Sequence, residues 1–316
     1  MAHPLRNTAH SRQEQVPVIG RFAPSPTGPL HFGSLLAALA SYCLARQAGG
    51  RWLLRMEDLD TPRVVPGAAE DILRTLERLG LEWDGEIVWQ SQRTAAYEGA
   101  AAKLRDRGLV FDCGCTRKEV LASAPHPGEE GPVYPGLCRD GLPAGRKPRA
   151  LRVKVPHDPV CFRDGVFGVR EQHLHSAVGD FVIKRADGLF AYQLAVVVDD
   201  ADAGVNQVVR GEDLLSSTPR QIYLQSCLEL PIPAYVHIPL AVDAQGEKLS
   251  KRHGAALSVA VSPGRAIYEA LVFLGQKLPG ELAAATAQEV LAWGVLHFDL
   301  ARVPAKSAIW PTTENA

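Results

Sequence analysis

Residues 16–50 read VPVIGRFAPSPTGPLHFGSLLAALASYCLARQAGG, and this stretch decides the fold. Val16 to Phe22 is a short, β-branched apolar run, the pattern of a buried strand. It ends in Ala23-Pro24-Ser25-Pro26-Thr27-Gly28-Pro29, which no regular element accommodates, because proline fixes φ and removes a backbone donor. Leu30 to Gln47 then carries apolar residues at helical spacing and stops at Gly49-Gly50, a helix-stop signal. Strand, rigid loop and helix make the opening of a βαβ unit.

The alternation continues outward. Arg51 to Met56 is a second strand, followed by the acidic cluster Glu57-Asp58-Leu59-Asp60. Pro66 to Leu79 and Thr94 to Arg107 have the pattern of amphipathic helices, the first with proline at its start. The whole predicts an α/β fold with a mostly parallel sheet. From Cys113 to about Pro148 the chain turns to Gly, Pro, Cys and charge without a clean period, an irregular inserted module too long for a plain loop. Leu151 to Val155 and Asp180 to Lys184 resume strand-like alternation, and Ala195 to Val198 (AVVV) has the β-branching of a buried strand. Beyond His253 the pattern is mainly helical, with Pro263–Leu274 and Glu281–Leu296 as candidates.

Composition bounds the function. The chain has 316 residues, 34 Lys+Arg against 35 Asp+Glu, and a formal net charge of −1, which argues against bulk nucleic-acid affinity but not against a local basic face. No run approaches about 18 consecutive apolar residues, so no membrane-spanning helix is expected. Residues 1–16 are polar, without the apolar segment of a secretory signal, and are expected to be a disordered lead-in to a cytoplasmic protein. Six cysteines in this length are too few for a disulfide scaffold. Cys43 and Cys227 lie in apolar helical runs and suit a core.

Three constellations carry chemistry. The helix opening at Leu30-His31-Phe32-Gly33-Ser34 offers free backbone N–H groups and a positive dipole end, which suit a phosphate. Gly28 and Gly33 let a ligand approach the backbone; the plain alternative is a tight turn whose His31 only caps or packs. Lys248-Leu249-Ser250-Lys251-Arg252 places three cations and a hydroxyl in five residues, suited to a polyphosphate and equally to a solvated charge run. Cys113-Gly114-Cys115 with Cys138 suits a structural zinc, the fourth ligand being His126, Cys161 or Tyr134 on spacing alone; three reduced cysteines without metal are the alternative.

Taken together, RFAPSPTGPLHFGS (21–34) and KLSKR (248–252) resemble the His-Ile-Gly-His and Lys-Met-Ser-Lys-Ser signatures of the class I aminoacyl-tRNA synthetases of the glutamyl/glutaminyl type. LLRMEDLD (53–60), AYQLAVVVDDADAGVNQVVRGEDLL (191–215) and TPRQIYL (218–224) resemble the same family, in order along the chain. The resemblance implies a Rossmann-like catalytic domain in two halves, residues 17–112 and 181–258. A zinc-containing insertion over 113–180 would divide them, and a short helical C-terminal region over 259–316 would follow. It also places Ala195–Val198 on a helix of the active site rather than on a strand. For chemistry it implies ATP with magnesium, held by His31, Gly33, Ser34, Lys248, Ser250 and Lys251, with His31 and Lys251 stabilising the reacting phosphates. Glutamate would meet Arg21, Ala23, Ser25, Glu57, Tyr192 and Arg210, Glu57 facing its amino group. One structural zinc would take Cys113, Cys115, Tyr134 and Cys138, since the family's Cys-x-Cys module continues into Tyr-x-x-x-Cys.

Two departures refine the expectation. Ser34 stands for the second His of the first signature, and Leu249 and Arg252 for the Met and final Ser of the second. Only 64 residues follow Arg252, too few for a full anticodon-binding domain. These traits resemble the truncated branch of the family, the glutamyl-Q tRNA(Asp) synthetases, which attach glutamate to the queuosine base of the tRNA(Asp) anticodon. The expected partners are therefore ATP, L-glutamate and queuosine-containing tRNA(Asp), with the chain acting as a cytoplasmic monomer. A short conventional glutamyl-tRNA synthetase, a nucleotidyltransferase of the wider superfamily, and an inactive RNA- or zinc-binding paralogue are the rivals. Arg146, Lys147, Arg149, Arg152 and Lys154, with Arg63 and Arg93 less so, are candidate tRNA contacts. Asp58 and Asp60 suit either a solvated acidic turn or magnesium.

Overall fold

The computed structural model describes residues 17–124, 127–128, 131–243 and 262–309. Its first half alternates as the pattern requires: β1 (Ile19–Phe22), α1 (Phe32–Gln47), β2 (Arg51–Met56), α2 (Ala68–Arg78) and β3 (Val88–Trp89). β1 and β2 pair in parallel from Ile19↔Arg51 to Phe22↔Leu54, and β3 joins the far edge of β2 in parallel. α1 is buried along most of its length because sheet and C-terminal helices cover it on opposite sides. Its Ser41 hydroxyl accepts the indole N–H of buried Trp52 at 2.8 Å, which satisfies that donor.

The chain then leaves the parallel pattern. α3 (Thr94–Asp106) leads to β4 (Val110–Cys113) and α4 (Arg117–Ser123). The short pair β5 (Pro127–Gly128) and β6 (Gly131–Pro132) follows, then β7 (Ala150–Val153), the hairpin β8 (Val160–Asp164) and β9 (Gly168–Gln172), α5 (Leu174–Ala177) and β10 (Phe181–Lys184). β10, β7 and β4 form an antiparallel sheet in that order, so the expectation of a mostly parallel sheet fails in this middle region. The stretch expected to be irregular holds a capped helix: Thr116 Oγ1 accepts from Glu119 N–H while the Glu119 carboxylate accepts from Thr116 N–H, a capping box.

The second half supplies α6 (Tyr192–Asp202), β11 (Gln207–Gly211), α7 (Thr218–Leu228), β12 (Ala234–Ile238) and β13 (Ala241–Val242), then α8 (Pro263–Phe273), α9 (Ala287–His297) and β14 (Ala308–Ile309). β11 and β12 pair in parallel. β11 lies beside β1 through Asn206, whose side-chain oxygen accepts the Ile19 N–H at 2.8 Å and whose own N–H donates to the Ile19 carbonyl at 3.1 Å. The strands thus run β3-β2-β1-β11-β12, and the ends of β1 and β2 converge with α6.

Two local readings are corrected. Ala195–Val198 is helix, as the resemblance implies and not the strand its β-branching suggests: Gln193 to Asp200 are all buried, so α6 is enclosed around its whole circumference and its β-branched residues gain packing that outweighs propensity. Glu281–Leu296 is not one helix but a 3₁₀ segment, Gly280–Ala284, then α9, started by a Thr286–Glu289 capping box. α8 and α9 pack on α1 so closely that a Cβ on Gly294 would stand 3.3 Å from Cys43 Sγ. Cys43 and Cys227 are buried, as their runs suggest. No helix among the described residues is long and apolar enough to cross a membrane.

Candidate active site

The loop between β1 and α1 is clamped by backbone bonds. The Glu57 N–H donates to the Pro24 carbonyl and the Val65 N–H to the Pro26 carbonyl, both at 2.9 Å. These ties set the loop, with half-buried Ala23 and exposed Ser25, over the ends of β1 and β2. Gly28 adopts φ +137°, a conformation open to glycine. His31 is the N-cap of α1, and Ser34 addresses both of its ring nitrogens, its N–H donating to Nδ1 at 3.2 Å and its hydroxyl meeting Nε2 at 3.1 Å. Ser34, the departure from the signature, therefore fixes the imidazole over the helix N-terminus. Gly33 makes room for it: a Cβ there would lie 3.2 Å from the ring.

Beneath the loop lies a buried charge network. Arg21, on β1 and 4% exposed, donates from Nε to Asp200 Oδ1 at 3.2 Å, and Arg55 Nη1, on β2, reaches the same oxygen at 2.6 Å. Arg55 Nη2 also pairs with Glu57 Oε1 at 3.2 Å. Asp199 accepts from Gln90 and the Tyr97 hydroxyl at 2.8 Å each and from Arg93 Nε at 2.5 Å. Burial alone would raise the Asp200 carboxyl, but Arg21 and Arg55 outweigh it and hold the group below the usual carboxylate range. For Glu57 burial wins and its pKa is raised, despite Arg55 and Arg21. Tyr192, at the first turn of α6, has its hydroxyl pushed up by burial and feels the charges of Arg210, Glu57 and Arg21, so these expected substrate residues share one cluster.

Arg210, on β11 and 5% exposed, differs from the other two arginines. Its Nη1 donates to the Tyr192 hydroxyl at 3.2 Å, Nη2 to Thr218 Oγ1 at 2.8 Å, and Nε to His237 Nε2 at 3.1 Å. All are neutral acceptors, and no carboxylate of the described residues pairs with it. A buried guanidinium without a carboxylate partner among the described residues suits an anionic ligand.

The cysteine module gathers as its spacing requires. The Sγ atoms of Cys113, Cys115 and Cys138 all lie within 4.8 Å of one another, those of Cys115 and Cys138 at 3.6 Å. That fits the roughly 3.8 Å edge of a tetrahedron with Zn–S of about 2.3 Å. The Tyr134 hydroxyl lies 3.5 Å from Cys113 Sγ and 3.8 Å from Cys115 Sγ. Burial raises Cys115 to about 11, whereas Tyr134, the Cys115 N–H and Arg152 outweigh burial at Cys113 and lower it. Cys161, one alternative fourth ligand, is exposed on β8 beside Glu171, away from the cluster; His126 lies outside the described residues.

Lys248, Ser250 and Lys251 also lie outside the described residues. Asp58 accepts from the N–H and hydroxyl of Ser91, and Asp60 pairs with Arg63 and Arg185, so both carboxylates have protein partners. Arg93 is tied to Asp199 and Asp202, Arg146 to Glu119, and Arg152 sits 3.9 Å over the Tyr134 ring. Sequence reasoning missed Arg55, Asp199, Asp200 and His237. The strand reading of RWLLRM held a signal for Arg55, and the helix that the resemblance implies for Ala195–Val198 held one for the two aspartates that follow it.

The chain matches the family described as tRNA synthetases class I (E and Q), catalytic domain, over residues 17–291, and belongs to it. Among its relatives, the Glutamyl-Q tRNA(Asp) synthetase of Geobacter sulfurreducens is 57% identical over 302 residues, covering 93% of this chain and 96% of that one. The relative of the same name in Aromatoleum aromaticum is 55% identical over 91% of each. In fold, the glutamate-tRNA synthetase of Elizabethkingia anophelis aligns with a TM-score of 0.78 at 26% identity, covering 94% of this chain and 68% of that chain.

Proposed function

We propose that this chain activates L-glutamate with ATP and transfers it to the queuosine base in the anticodon of tRNA(Asp). The observation that carries the substrate is Arg210, a buried cation without a carboxylate partner among the described residues, which bonds the Tyr192 hydroxyl on which the Glu57 charge also acts. Glutamate presents the complement, a carboxylate for Arg210 and Tyr192 and an ammonium for Glu57. Arg21, already shared with Asp200, contributes position and field rather than a free charge. The names of relatives more than half identical over nine-tenths of both chains support the acceptor.

In the activation step an α-carboxylate oxygen of glutamate attacks the α-phosphorus, the α–β P–O bond breaks and pyrophosphate leaves with its electron pair. Positioning and charge stabilisation suffice. His31, held by Ser34 at the helix N-terminus, meets the α-phosphate, Gly33 gives it room, and Lys248, Ser250 and Lys251 hold the departing phosphates. Magnesium entering with ATP supplies further neutralisation. A queuosine hydroxyl then attacks the activated carbonyl and AMP departs. Cys113, Cys115, Cys138 and Tyr134 would hold one zinc, which would brace the insertion. The chain would act as a monomer in the cytoplasm.

The test is labelled glutamate incorporation into purified queuosine-containing tRNA(Asp) and tRNA(Glu), with ATP and magnesium. Label on the first alone, lost when the queuosine diol is oxidised, is the expected outcome. Label on tRNA(Glu) would replace this reading with a short conventional synthetase, and no glutamate-dependent pyrophosphate exchange would replace it with an inactive paralogue.

A further inference from the structure

His237 and Asp164 belong to no signature of the chain, yet both are buried against the Arg210 side chain or its supports. Asp164, 2% exposed, ends β8, a strand of the inserted region, while His237, fully buried, lies on β12. The Asp164 carboxylate accepts four N–H bonds. Oδ1 takes those of Val166 and Phe167 at 2.9 Å each, and Oδ2 takes the His237 backbone N–H at 3.0 Å and its ring Nδ1 at 2.6 Å. Four donors converging on one buried group favour the ionised form, consistent with its lowered pKa despite burial. An ionised acceptor at Nδ1 puts the imidazole proton there, so Nε2 keeps its lone pair. That lone pair faces Arg210 Nε at 3.1 Å and Thr218 Oγ1 at 3.1 Å.

The guanidinium is thereby held along one edge. His237 Nε2 takes Nε–H, and Thr218 Oγ1 and the Leu214 carbonyl take Nη2, which leaves Nη1 beside the Tyr192 hydroxyl. A neutral histidine does this without cancelling the charge, whereas a carboxylate in its place would. The hairpin that delivers Asp164 is seated hard on β12: the Gly165 N–H donates to the Tyr235 carbonyl at 2.9 Å, and a Cβ on Gly165 would come within 2.8 Å of Val236.

We infer that Asp164 and His237 form a positioning pair that fixes the Arg210 guanidinium for the substrate carboxylate while leaving its charge unneutralised, tying the β8–β9 hairpin of the insertion to the amino-acid site. The inference rests on the proposed activation of glutamate. It concerns positioning residues, since both act through Arg210.

The test is glutamate-dependent pyrophosphate exchange and thermal unfolding for the wild type, His237→Leu, His237→Gln and Asp164→Asn. The first two substitutions are repeated in an Arg210→Met background, with glutamate binding followed calorimetrically. His237→Leu is expected to raise KM for glutamate at least roughly tenfold, about the worth of one hydrogen bond to a charged group, with KM for ATP unchanged. His237→Gln, whose amide oxygen can take the Arg210 Nε–H, is expected to recover most of that loss, and Asp164→Asn to fall between. In the Arg210→Met background His237→Leu should add no further loss of glutamate affinity, because there is no guanidinium left to orient. Unchanged KM for glutamate in His237→Leu and Asp164→Asn, with only lower melting temperatures, would assign both a merely structural role and overturn the inference alone. A wild type that exchanges pyrophosphate with no amino acid would overturn the functional reading, and this inference with it.

Discussion

At the scale of single residues, the site is set by where charge is balanced and where it is not. Asp200 serves two buried guanidiniums, Arg21 and Arg55. Asp200→Asn leaves both without their shared anion and is expected to cost about 3–5 kcal/mol, read from denaturant unfolding. Its lowered pKa gives the sign with pH: the contribution is intact above the ordinary aspartate value and disappears as pH falls through the lower folded one, so acid denaturation should begin at higher pH in the variant. Glu57 behaves oppositely. Its pKa is raised by burial, so its stabilising contribution exists only at acid pH and is lost as pH rises through the folded value. Glu57→Gln should therefore melt at the same or a higher temperature at pH 7. Glutamate-dependent exchange should nevertheless fall roughly ten- to hundredfold, because the ammonium loses its charged partner. A melting point well below that of the wild type would refute the idea that this carboxylate is kept at a cost in stability.

At the scale of elements, the opening of α1 suits the proposed phosphate contact better than the helix's own stability. The N-cap is a histidine held by Ser34, and a glycine occupies the first turn. Alanine is favoured over glycine in a helix by up to about 1 kcal/mol, so Gly33→Ala should leave the fold as stable or more so. The added Cβ, 3.2 Å from the His31 ring, would displace the imidazole. The expected result is a roughly tenfold lower kcat/KM for ATP in pyrophosphate exchange with an unchanged or higher melting temperature; retained activity would show that the ring position is not used. α6 makes the complementary point, since one helix carries Tyr192 at its start and Asp199 and Asp200 two turns later, spanning from the Tyr192–Arg210 contact to the buried ion pairs.

At the scale of the whole molecule, the chain is two parallel half-sheets joined edge to edge with an antiparallel region between them in sequence. Three cysteines and a tyrosine gather in that region around a small buried cluster of their own. A zinc there would act as a local staple. About one zinc per chain is expected by metal analysis. Removal by a chelator, or Cys138→Ser, should lower the melting temperature and expose residues 113–148 to proteolysis; a metal-free wild type with the same melting curve would remove the zinc. Such loosening should leave His31 in place, because its ring is held within α1.

The sequence by itself determined the strand–loop–helix opening and the second strand, because prolines, glycines and a helical apolar period act over a few residues and need no distant partner. It also delimited the cysteine module, and its motifs led to Arg21, Glu57, Tyr192 and Arg210 as a set. What only the tertiary structure decided lies between residues far apart in the chain: the burial of Ala195–Val198 on every side, which misled the local pattern though the resemblance implied a helix, the meeting of Arg21 and Arg55 at Asp200, and the Asp164–His237–Arg210 line. Burial on all sides removes the periodicity that distinguishes a helix from a strand. A buried charge is stable only beside a partner, and which partner depends on how the strands are ordered, which local patterns do not encode.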